Sequence, residues 1–166
     1  MSALITPVLV AEVAKILRPS IMEVIRLDPS RVVACVAIPD PALQYTPQYL
    51  PTARPRPLFW EGVFGETDRT KWKNPYDEFA RAKAVLSWRT GLPSHLIQRN
   101  RPHLFENGDI KFGGSTAYEG IVVGTSGLAW HHDLIISGMF ATALHALAIG
   151  AFEFELELKP YFIGQS

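Results

Sequence analysis

Two histidines and a carboxylate stand in succession at His131, His132 and Asp133, and two glycine-rich turns precede them, at Gly113-Gly114 and at Gly124-Thr125-Ser126-Gly127. An imidazole changes charge between about pH 5 and 8, which suits it to proton transfer or metal ligation. A neighbouring carboxylate can hold its working tautomer, or can simply be the acid that a helix start favours. Glycine lets a backbone approach a ligand closely. Free amides at Ser126-Gly127, just ahead of a helix, would receive a carboxylate, a propionate or an enolate oxygen. Consecutive helical side chains point ~100° apart, so His131, His132 and Asp133 cannot converge on one metal ion. One imidazole is therefore expected at a cleft and the other towards solvent or a second subunit.

Other groups able to do chemistry lie further off. Lys83 falls among the apolar positions of its helix, and a half-buried amine suits anion binding or, with a lowered pKa, general-base work. Its alternative is an aliphatic stem with the ammonium in water. Trp130 is a candidate wall for a flat apolar ligand. His145, on an apolar helix, is expected as a hydrogen-bonded core residue, and His95 and His103 as surface residues. The single cysteine, Cys35, lies in an apolar run with no basic neighbour to make it a thiolate, and one thiol excludes an internal disulfide.

The elements that must position these groups read out in order. Thr6-Pro7 is a helix start, a hydroxyl cap followed by proline in the first turn, and Val10, Val13, Ala14, Leu17, Ile21, Val24 and Ile25 continue at helical spacing. Pro19 is expected to kink or split that helix. Residues 31–38 and 58–64 read as strands, separated by a proline-rich insertion at about 39–57. Asn74-Pro75 is expected to cap a helix with Asp77 and Glu78 in its first turn and Gly91 at its end. A short helix follows at 94–98. Residues 111–117 and 121–125 can pair as a hairpin around Glu119-Gly120. An apolar helix occupies about 132–149, with small residues Ser137, Gly138, Ala141, Ala143 and Ala146 allowing close approach of another helix. Strict alternation from Phe152 to Leu158 predicts a C-terminal strand extension at about 151–166. Together these give a single α+β domain spanning residues 1–166, with antiparallel strands and helices stacked on them.

Composition bounds the partners. The chain has 166 residues, 48% of them apolar and 19% charged, and its 16 bases balance its 16 acids. No net field favours nucleic acid or an anionic membrane. Residues 112–166 carry one base, Lys159, against five acids, so the last third is −4 and the remainder +4. Such polarity can orient subunits in a homo-oligomer, or can be uneven solvated surface. The uncharged run from Leu134 to Phe152 approaches membrane-spanning length. Its His145, its glycines and its lack of basic flanks favour a buried helix instead. The N-terminus lacks the pattern of a signal peptide, so a cytoplasmic location is expected.

The series Phe79-Ala80-Arg81-Ala82-Lys83-Ala84, Gly91-Leu92-Pro93-Ser94, Gly113-Gly114 and Gly124-Thr125-Ser126-Gly127, with Asp133 six residues on, resembles the GlcG/HbpS-like haem-degrading-domain family. The resemblance covers roughly residues 75–150. It implies a profilin-like α/β/α sandwich with a central antiparallel sheet, and a homo-oligomer from dimer to octamer. It also implies haem or another tetrapyrrole as ligand. His132 would then be the axial ligand to haem iron, with Lys83, Gly114, Ser126, Gly127 and Trp130 around the ligand. This chain departs from the family pattern where Ser115-Thr116 follow the paired glycines without a proline. Two functions are thus expected. The first is a haem-type small-molecule binding protein. The alternative is a cofactor-independent isomerase, cyclase or lyase in which His131 or His132, with Asp133, moves protons on a small carbonyl compound.

Overall fold

The computed structural model describes residues 5–42 and 58–158. It is an α+β fold built on one four-stranded antiparallel sheet. The elements run α1 (Pro7–Arg26), β1 (Val33–Pro39), β2 (Leu58–Gly65), α2 (Tyr76–Thr90), α3 (Ser94–Asn100), β3 (Ser115–Tyr118), β4 (Ile121–Ser126) and α4 (Trp130–Leu158). The strand order is β2-β1-β4-β3. Strand β1 is buried along its whole length, as a central strand covered on both faces must be.

Period-two alternation sorts the sheet into two cores. Ala34, Val36, Ile38, Ile121 and Val123 face α1 and α4, where Ile21, Ile136, Phe140 and Leu144 complete the larger cluster. Val33, Cys35, Ala37 and Val122 face the other way, onto Tyr76, Ala80 and Ala84 of α2. On that second face α2 comes unusually close to β4. A Cβ added at Gly124 would lie 2.7 Å from the Ala84 amide nitrogen and would run into the Ala80 carbonyl.

Several local signals act as expected. Thr6 Oγ1 accepts the Leu9 amide at 3.2 Å and Pro7 stands in the first turn of α1. Gly91 ends α2 in the left-handed region at φ 70°. The hairpin turns through Glu119 and Gly120 at φ 49° and 81°. Cys35 is buried, and desolvation pushes its thiol up to about 12. A thiol reagent at pH 8 should therefore leave native Cys35 unmodified and label it fully in denaturant; native labelling at the denatured rate would contradict this burial.

Other expectations are corrected. The alternation from Phe152 to Leu158 is not a strand: α4 continues as helix to Leu158. Alanine, leucine and glutamate are good helix formers, and with no breaker between Gly150 and Leu158 a helix already running extends more readily than a new strand starts. Residues 159–166 of the expected extension, and 43–57 of the proline-rich insertion, lie outside the described residues. Pro19 does not split α1, which runs as one helix of 20 residues. Asn74 supplies no side-chain cap to α2; its carbonyl instead accepts the Tyr76 amide at 2.8 Å.

Helix α4 is less enclosed than its composition predicts. Its core face ends at Leu144, and Ile135, Leu147, Ile149 and Phe154 are exposed. Among the described residues nothing packs within 4 Å of the position a Gly138 Cβ would take. From Trp130 to Phe154 the helix is long and apolar enough to cross a membrane by length and composition.

Candidate active site between the second and fourth helices

Three elements bring polar groups together beneath the cleft between α2 and α4. Lys83 is carried inward on the α2 face that packs on β4, between Ala80 and Ala84, and is 3% exposed. Its Nζ donates to the Thr125 carbonyl at 2.9 Å and to Asp133 Oδ2 at 3.0 Å. Asp133, 1% exposed, also accepts the Leu128 amide on Oδ1 at 3.0 Å, which ties the turn before α4 to its first residues. Burial lowers the Lys83 pKa, with Asp133 opposing. Burial likewise pushes the Asp133 carboxyl up to about 6, although Lys83 pulls it down. Burial thus moves the two groups in opposite senses, the amine down and the carboxyl up.

The second of the paired glycines closes over this ion pair. Gly114 has φ 120°, and a Cβ there would lie 2.8 Å from Asp133 Cβ and 3.1 Å from Lys83 Nζ. Its carbonyl accepts the Ser137 hydroxyl at 2.7 Å, and Ser137 Oγ also lies 2.8 Å from Thr125 Oγ1. A second buried hydroxyl pair, Ser87 and Ser115 at 2.8 Å, fixes α2 to β3 beside it. These short side chains pack the space around the ion pair and satisfy one another's hydrogen bonds.

Beside the pair opens a cleft of about 210 Å³. Phe79, Phe112, Leu128 and Trp130 supply apolar walls, Lys83 and Asp133 a charged floor, and Ser126 and Gly127 one edge. Trp130 is held in place: His95 stacks on it at 5.6 Å and the Arg99 guanidinium lies 4.9 Å from its ring centroid. A Cβ at Gly113 would press on the Trp130 ring at 3.1 Å. Burial, then Arg99, lowers the His95 pKa from its ordinary value.

The sequence-predicted residues divide into two groups. Lys83, Ser126, Gly127, Trp130 and Asp133 all line the cleft, and Gly114 packs behind its floor. His131 and His132 do not line it. His131 is exposed, with its ring edge-on to Trp130 at 5.7 Å. His132 Nδ1 is turned towards Asp28, 3.6 Å from Oδ2, too far for a hydrogen bond and within reach of an ion pair. Asp133 therefore orients no imidazole in this structure; its oxygens are taken by Lys83 and Leu128. His145 is half-buried, edge-on to Tyr118 at 5.1 Å, and is not a core residue.

Two residues that sequence reasoning missed complete the arrangement. Asp28, in the loop after α1, accepts the Ala129 amide at 2.9 Å. Burial alone would raise its pKa, but this amide, Ser30 and His132 hold it below the usual carboxylate range. The amides of Leu128 and Ala129, the next two after the Ser126-Gly127 pair expected to receive an anion, are already satisfied by Asp133 and Asp28. Arg31 lies at the cleft mouth and donates to Tyr76 Oη at 2.8 Å. No local pattern marks Asp28 or Arg31, because both act across the fold.

Haem does not fit this cleft. Its volume of about 210 Å³ is below the roughly 300–1,000 Å³ of pockets that enclose drug-sized ligands, and His132, the expected axial ligand, does not line it. Among the described residues no group of three His, Cys, Asp or Glu side chains is placed to hold a metal ion. No family model, curated protein or solved structure matches the chain.

Proposed function

We propose that the chain is a small-molecule binding protein whose α2–α4 cleft takes a flat organic molecule smaller than a tetrapyrrole. The single observation that carries this reading is the cleft itself, aromatic on its walls, with the Lys83–Asp133 pair fixed at its floor and Arg31 at its mouth. Recognition sites are commonly mostly apolar, with a few placed polar groups that set orientation. A carbonyl or hydroxyl on the ligand edge would meet Lys83, and the ring would lie against Phe79, Phe112 and Trp130. The motif order that resembles the GlcG/HbpS-like family supports small-molecule binding but not, at this cleft, a macrocycle.

A second reading is favoured by one specific observation. A carboxyl pushed up to about 6 beside a buried amine of lowered pKa is matched to proton transfer near neutral pH. In that case Asp133 and Lys83 do the acid–base work that the sequence assigned to Asp133 with His131 or His132.

Benzyl alcohol is a suitable first probe. Its titration should quench or shift tryptophan emission saturably, and Phe112→Ala, at an exposed wall position, should weaken binding about fivefold to tenfold. Binding that is not saturable, or that ignores Phe112, would remove the proposal. Haemin is the opposing probe. A saturable Soret shift at one equivalent that is lost in His132→Ala would restore the tetrapyrrole reading at a different surface.

A further inference from the structure

A second concavity, of about 150 Å³, adjoins the first and shares Arg31, Tyr76 and Gly127 with it. Its chemistry is different. Arg31, Lys71 and Lys73 line it, and among the described residues no carboxylate does. Glu66 offsets one of these charges, pairing with Lys71 at 3.2 Å. Lys73 has no ion pair among the described residues. Arg31 is half-buried and pre-oriented by Tyr76 Oη at 2.8 Å, which leaves guanidinium donors for another acceptor. Trp72 forms a rigid wall, its Nε1 donating to the Glu66 carbonyl at 2.8 Å and its ring lying 5.6 Å from the Arg69 guanidinium.

We propose that this basic concavity is the subsite for a terminal oxyanion on the same ligand whose body occupies the aromatic cleft. Two concavities that meet at one arginine, apolar on one side and cationic on the other, match a molecule with a flat organic body and a phosphate or carboxylate at one end. The inference rests on the aromatic cleft being a binding site. Arg31 then stands at the junction, where its planar fork can grip an oxyanion in a way a lysine cannot. Lys71 and Lys73, on the segment leading into α2, supply charge from the outer side. Their contribution is screened by salt, so affinity should be salt-dependent for the anionic ligand alone.

Benzyl alcohol, phenylacetate and benzyl phosphate share a ring and differ at the end, so calorimetric titration of the whole chain with all three tests the subsite. The expected result is that at least one anionic probe binds about tenfold tighter than the alcohol. Which anion gains more distinguishes a carboxylate from a phosphate ligand. The advantage should shrink at high salt and in the exposed double variant Lys71→Ala/Lys73→Ala, while the alcohol keeps its affinity. Equal binding of all three probes would overturn the subsite and leave the aromatic cleft standing. So would an anionic advantage that survives the double variant intact. Failure of every probe to bind would overturn both.

Discussion

Replacing Lys83 by methionine should cost about 3–5 kcal/mol of folding stability near pH 8, because it leaves the Asp133 carboxylate buried without its cation. The deficit should shrink as the pH falls. Without the Lys83 charge, which lowers it, the Asp133 pKa rises beyond about 6 in the folded state, against roughly 3.9 in the unfolded chain. A group raised in this way contributes stability that is fully present below its unfolded pKa and lost as pH rises through its folded pKa. Urea melts of Lys83→Met at pH 5 and pH 8 should therefore differ more from each other than those of the unaltered chain do. The double variant Lys83→Met/Asp133→Asn should recover a large part of the loss, since the introduced carboxamide is neutral and still offers an oxygen to the Leu128 amide. A deficit that is constant with pH, or a double variant no better than the sum of the singles, would show that the pair is not coupled as the geometry requires.

Adding a single methyl group at Gly124 should do comparable damage by a mechanical route. Gly124→Ala places a Cβ against the backbone of α2 at Ala80 and Ala84, so the helix and the sheet must separate. Overpacking of this kind costs roughly 1–3 kcal/mol and more where the obstacle is backbone, so the upper end is expected. Lys83 rides on the same helix face. Lifting α2 pulls its amine from the Thr125 carbonyl and from Asp133, both of which stay with the sheet and α4. Thermal melts should show the destabilisation, and benzyl alcohol binding should fall even below the melting range. Near-native stability with unaltered binding would mean that α2 and β4 are not in the contact described.

Much of this architecture was legible from local signals, for reasons visible at particular residues. Thr6-Pro7 and Gly91 cap helices by short-range chemistry, and Glu119-Gly120 turn a hairpin within four residues. The unbroken apolar run of β1 marks a strand covered on both faces, which it presents to different helices. Phe152–Leu158 misled because its alternation fits a strand while its position, downstream of an uninterrupted helix, favours helix. Lys83 stood out through its apolar surroundings and Asp133 through its neighbours. Their partnership, across 50 residues, has no sequence signature. The histidines drew attention by chemical type, yet α4 turns both away from the cleft. Arg31, Tyr76 and Lys73 look ordinary in sequence and matter only because β1 and α2 bring them to one mouth.

The sheet order has a consequence for how the chain is made. Strand β1 pairs with β2 on one side and with β4 on the other, where Cys35 meets Ser126. A ribosome adds about 5–20 residues per second, so the open edge of β1 waits on the order of 5–20 s for the partner that closes it. The Asp28 carboxylate waits similarly for the Ala129 amide. Until then one face of the nascent sheet has neither α4 nor its second neighbour, and α1 alone shields Ala34, Val36 and Ile38. The amphipathic face of α1 is thus the helical cover made first for this face of the sheet, well before α4 completes it.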